Sequence, residues 1–175
     1  DGKTREGVFR GNDYFVPVKK GEVYEIWVEN QSGKLVMMRL LVDGLNTLPE
    51  KEMTKGVATY LVGKRVNLDE ARAWVLDPAE SKTFAVRGFV TETGVGGKLR
   101  EFRISDAEKS LAARQQFPDQ IGMITAAFYA PAAPTRGLGL GLGNELGNER
   151  SEDIKEHRGA VAGNLLGVVH IRYVD

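Results

Sequence analysis

Val23-Tyr24-Glu25-Ile26-Trp27-Val28-Glu29 alternates strictly, with Tyr24, Ile26 and Val28 on one side and Glu25, Trp27 and Glu29 on the other. That period of two is the mark of a strand with one wet face. Gln31-Ser32-Gly33-Lys34 has turn chemistry. Leu35-Val36-Met37-Met38-Arg39-Leu40-Leu41-Val42 then returns as an almost continuous apolar run, the pattern of a strand buried on both faces. Asp43-Gly44 is a second turn signal. Two strands joined by a tight turn, with another reversal behind them, predict an antiparallel β domain.

The same grammar extends outward in both directions. Tyr14-Phe15-Val16-Pro17-Val18 reads as a strand whose Pro17, lacking an N–H, belongs at an edge or bulge. Asp1 to Asp13 is polar and reads as a loose arm, and Leu45 to Thr54 as irregular. Strands are predicted over Val57–Val62, Ala71–Leu76, Thr83–Val90, Lys98–Ile104, Gly122–Tyr129 and Asn164–Val174. In the last, Val169, Ile171 and Tyr173 share one face, and His170 and Arg172 the other. Asp77-Pro78-Ala79-Glu80-Ser81 is a turn, because proline presets φ and aspartate can bond the backbone beyond it. One short helix is expected after Ile104, capped by Ser105 with Glu108 reaching back, and ending before Pro118.

The expected fold is therefore mainly β: a single domain over residues 1–175, a two-layer antiparallel β-sandwich with one short α-helix. Jelly-roll and immunoglobulin-like strand orders both fit. Residues 131–163 interrupt the pattern as one long loop, Gly-rich and then charged.

Bulk properties narrow the classes of function. The 175 residues are 42% hydrophobic and 27% charged, ordinary values for a globular domain with a sizeable core. Lys plus Arg and Asp plus Glu number 24 each, so no basic excess points to nucleic acid. No apolar run approaches the length of a membrane span. The chain has no cysteine, which removes disulfides, thiolate metal sites and cysteine nucleophiles. A Cys-free chain starting at Asp1 rather than Met favours an extracytoplasmic setting, periplasm or cell surface.

Candidate chemistry yields to plainer readings. Gly137-Leu138-Gly139-Leu140-Gly141-Leu142-Gly143 has no G-x-G-x-x-G register and follows a Pro-rich stretch rather than a strand, so it is no phosphate loop. Its alternating leucines, Leu138, Leu140 and Leu142, suit docking on a surface. His157 and His170 lack partners at metal-ligand spacing. Asp69, Glu70, Asp77 and Glu80 sit near turns, where carboxylates are solvated. None of the five serines lies in G-x-S-x-G. The reading assigns no catalytic residue, no cofactor and no metal.

Trp27 and Trp74 remain. Aromatics in strands usually pack in cores, yet Trp27 shares its face with two glutamates and suits a surface contact. The expectation is a non-enzymatic interaction or structural module that binds a protein partner or itself. Its interaction surface draws on Trp27, Trp74, Leu138, Leu140 and Leu142. The alternative is a carbohydrate-binding module with an aromatic platform.

Tyr14–Glu22, Val28–Gly33, Val42–Asn46 and Trp74–Pro78, taken together with Phe102–Ile104 and Gly122–Phe128, carry a family likeness. This chain resembles a β-rich accessory domain of uncharacterised bacterial proteins, often found beside caspase-like modules and sometimes in exported chains. The resemblance covers about two thirds of the sequence and implies an antiparallel sandwich with a Gly-rich late loop. It carries no catalytic residues.

Overall fold

The computed structural model describes residues 2–55, 57–116, 118–132, 149–151, 154 and 161–174. The fold is mainly β, with fifteen strands, several of only two or three residues, and a single α-helix among the described residues.

The polar amino-terminal stretch is not a loose arm. β1 (Val8–Arg10) and β2 (Asp13–Pro17) form a hairpin whose two-residue loop is Gly11-Asn12, with Arg10 opposite Asp13. Gly11 takes the first loop position at φ +64°, which glycine adopts without steric cost. The alternating segment follows as β3 (Val23–Tyr24) and β4 (Ile26–Glu29), interrupted at Glu25. The apolar run is β5 (Val36–Val42), buried at every position but Arg39. Across Asp43-Gly44, both at positive φ, it folds back into β6 (Leu45–Asn46).

β4 and β5 do not pair with each other. Asn30 to Leu35 instead carries the chain from one sheet to another, and buried Asn30 organises the crossing. Its Nδ2 donates to the Lys34 carbonyl at 2.8 Å and the Leu76 carbonyl at 2.9 Å, and its Oδ1 accepts from the Ser32 amide and hydroxyl. Leu45–Thr54, expected to be irregular, contains β6 and β7 (Glu50–Thr54), the latter paired with β8 (Val57–Leu61). Polar Asn46 and Thr47 gave that stretch a loop-like composition. Both are fully buried, with their side chains hydrogen-bonded inside the fold.

β9 is Trp74–Leu76, and Thr83–Val90 is split at Arg87 into β10 (Thr83–Val86) and β11 (Gly88–Glu92). β12 (Lys98–Arg103) returns antiparallel to β11. The helical region corrects the expected cap. Ala107–Lys109 is a 3-10 turn; α1 (Leu111–Arg114) follows, capped by Ser110, whose hydroxyl accepts from the Ala113 amide at 3.1 Å. Ser105 makes no cap, and its hydroxyl donates to the neighbouring Asp106 carbonyl. The remaining strands are β13 (Met123–Pro131), β14 (Glu149–Ser151) and β15 (Ala162–Val174).

The largest sheet runs β1-β2-β15-β13-β5-β6, with β9 also on β5. It is mixed rather than antiparallel throughout, because β2 and β15 are parallel, Tyr14 lying opposite Ile171. Parallel neighbours need a long connection between them, and here almost the whole chain supplies it. The other principal strands form two small antiparallel groups, β10-β4 and β11-β12 with β14 and β3 on β12.

Both sets of strands feed one core. Val36, Met38, Leu40 and Val42 of β5 and Ile124 of β13 cluster with Val86, Phe89 and Phe102, and with the partly buried Tyr24, Ile26, Val28 and Phe84. Phe102 stacks on Tyr24 at 5.2 Å between ring centroids and meets Phe89 edge-on at 5.1 Å. On the opposite face of β5 and β13, Met37, Ala127 and Tyr129 pack under Leu68, Ala73 and Val75.

Candidate functional site

Trp27 and Trp74, far apart in sequence and on different sheets, line one cleft. The alternation in β4 turns Ile26 and Val28 inward and leaves Trp27 62% exposed. Trp74 reaches the same cleft from β9. The floor and rim come from Val75, Leu76 and the segment Thr83–Arg87, around an open cleft of about 430 Å³. The cleft lies where β9 and β10 are each paired on one side only among the described strands, β9 with β5 and β10 with β4.

Each indole is fixed by its only donor. Trp27 Nε1 donates to Glu25 Oε2 at 3.2 Å, and the other oxygen of Glu25 pairs with Arg87 Nε at 3.2 Å. Trp74 Nε1 donates to Thr47 Oγ1 at 3.0 Å, and that hydroxyl in turn donates to the Leu40 carbonyl at 3.0 Å. Glu25 and Arg87 are the residues at which the two strands of each broken pair change partner. Tyr24 lies opposite Phe102 and Ile26 opposite Val86, while Gly88 lies opposite Glu101. The fork is tight: a Cβ on Gly88 would lie 2.1 Å from the Arg100 carbonyl oxygen.

A second feature was not anticipated from the sequence. β15 pairs with β13 along its length, but on its other side β2 covers only Ile171–Val174. Over Ala162–His170 that side meets no further strand among the described residues. Here Leu165, Leu166, Val168 and Val169 are all exposed. Val169, expected to share a face with Ile171 and Tyr173, is 48% exposed while those two pack against the core. The ladder with β13 slips between Phe128 and Tyr129, passing over Leu166, which stands out as a bulge residue. His170 bonds across to Thr125, Nδ1 to Oγ1 at 3.0 Å.

A third cluster is polar and enclosed. Asp43 Oδ1 accepts from the Tyr173 hydroxyl and from the Gly122 amide at 2.8 Å. Burial pushes the Asp43 carboxyl above its ordinary value, partly offset by those hydrogen bonds. Burial and the neighbouring Asp43 charge likewise raise the Tyr24 phenol, and burial, then Tyr24 and Asp43, raise that of Tyr173. This arrangement ties β15 to the β5–β6 turn.

Of the residues predicted to form an interaction surface, the fold brings Trp27 and Trp74 together; Leu138, Leu140 and Leu142 lie outside the described residues, as does His157. Among the described residues no group of three His, Asp or Glu side chains could hold a metal ion, and no helix is long and apolar enough to cross a membrane. No family model, curated protein or solved structure matches this chain.

Proposed function

We propose that this chain is a non-enzymatic interaction module, built on a β-sandwich scaffold, that pairs with a second copy of itself through the open edge of β15. One observation carries the reading: four exposed apolar side chains, Leu165, Leu166, Val168 and Val169, stand on a strand whose outer side over Ala162–His170 meets no further strand among the described residues. An open edge presents a row of backbone donors and acceptors, and what complements that row is another extended chain. Leu165 and Val168 lie on the face shared with Tyr129 and Ala127, and Val169 on the face shared with Ala126, so a strand added at this edge meets apolar surface on both faces.

A second copy suits this edge. Two identical strands related by a two-fold axis pair antiparallel, each residue meeting its counterpart reciprocally. With 24 positive and 24 negative side chains, two copies carry no net repulsion. The sandwich reading draws its support from the core cluster shared between the large sheet and the two smaller groups.

Sedimentation velocity across a concentration series tests the pairing. The expected result is a concentration-dependent dimer that Val168→Lys converts to monomer, with the circular dichroism of the fold retained. A strictly monomeric wild type, or a dimer indifferent to Val168→Lys, overturns it.

A further inference from the structure

We infer that the cleft between Trp27 and Trp74 is a binding site for a neutral saccharide, gripped by stacking of a pyranose ring on Trp27. This site is separate from the β15 edge and does not depend on pairing between copies.

The class of ligand follows from what the walls offer and withhold. Trp27 is the most exposed of the aromatic rings in the cleft, yet it is held in place by its bond to Glu25. Such a ring loses little freedom on binding, which is how a preformed site gains affinity. Both indole N–H groups are engaged within the protein, and Trp74 also packs against the core, so the π-surface offered outward is that of Trp27. The lining exposed between them, Val75, Phe84 and Ala85, is apolar, with Leu76 and Val86 buried beneath it. Among the described residues the one cation in the lining, Arg87, is paired with Glu25, so this wall offers no uncompensated charge to select an anionic ligand.

Polar complement is nevertheless present. β9 and β10, each with one side not paired with any described strand, both line the cleft, and Thr83 adds a hydroxyl. A ligand suited to this site has one apolar face, a polar perimeter and no charge. A pyranose ring has that form: axial C–H bonds on its faces and hydroxyls around its edge. The volume of about 430 Å³ falls in the range of small-molecule sites and accommodates a short oligosaccharide.

The chain contains two tryptophans, and both line the cleft, so intrinsic fluorescence reports on it directly. Titration with cellohexaose, xylohexaose, maltohexaose and chitohexaose, with an unstructured peptide as control, provides the test. At least one saccharide is expected to give a saturable change in emission. Trp27→Ala, read through the remaining Trp74, weakens that binding by about tenfold, and Trp27→Phe retains most of it. No saturable change with any of the four saccharides overturns the inference, as does binding unaffected by Trp27→Ala. A response to the peptide alone also overturns it and gives the cleft to an extended polypeptide.

Discussion

Asp43 shows how one residue serves two structural demands. Its backbone lies at φ +54° in the turn after β5, and its carboxylate receives Tyr173 and the Gly122 amide. Burial raises its folded-state pKa, so its ionisation is harder in the folded chain than in the unfolded one. A carboxyl of this kind leaves stability untouched below its unfolded pKa, and costs stability as pH rises from there through the folded pKa. Asn accepts the same two hydrogen bonds and tolerates the left-handed backbone. Asp43→Asn is therefore expected to gain stability relative to wild type between about pH 3 and pH 7. Urea denaturation at the two pH values measures it, and a difference that shrinks or stays constant with rising pH contradicts this account.

At the scale of the elements, the strand fork around Glu25 and Arg87 depends on Gly88. A methyl group there would strike the Arg100 carbonyl and the Glu101 Cα, which are backbone atoms that cannot swing aside. Gly88→Ala is expected to cost about 3 kcal/mol in thermal or urea unfolding. Gly167→Ala is the control: it meets nothing within 4 Å and should change stability by less than about 1 kcal/mol. The fork also explains why Thr83–Val90 read as one strand from its sequence. Hydrophobic periodicity reports which way a side chain points, not where a strand exchanges one neighbour for another. The same limit hid the crossing at Asn30, since a turn between two strands looks alike whether they pair or part. Where local chemistry governs, the reading succeeded: Ala79 donates to Asp77 Oδ1 at 2.9 Å in the predicted proline turn, and Asp43-Gly44 makes the predicted reversal. Ser105 failed as a cap because Ser110, five residues on, offers a hydroxyl to the helix itself. The cleft was half legible, through the wet face that exposes Trp27; only tertiary packing brings Trp74 beside it. The exposure of β15 had no local signal, because whether a valine is covered depends on how far a distant layer extends.

For the molecule as a whole, the shared core decides whether the separate strand groups behave as one cooperative unit. Phe102 is 2% exposed and touches aromatic rings from β3 and β11, while Met38, wholly buried, faces them from the large sheet. Phe102→Ala is expected to lower stability by about 3–5 kcal/mol. Unfolding followed by tryptophan fluorescence and by far-ultraviolet circular dichroism should remain a single coincident transition, and separated transitions would mean that the groups fold independently. The parallel seam between β2 and β15 has a further consequence, for synthesis. Tyr14 leaves the ribosome long before Ile171, its partner across that seam, has been added. At cellular translation speeds the interval is roughly 8–30 s. Throughout it the amino-terminal hairpin has no sheet to join, so a nascent chain depends on chaperones, or on the hairpin's own turn, until the final strand emerges.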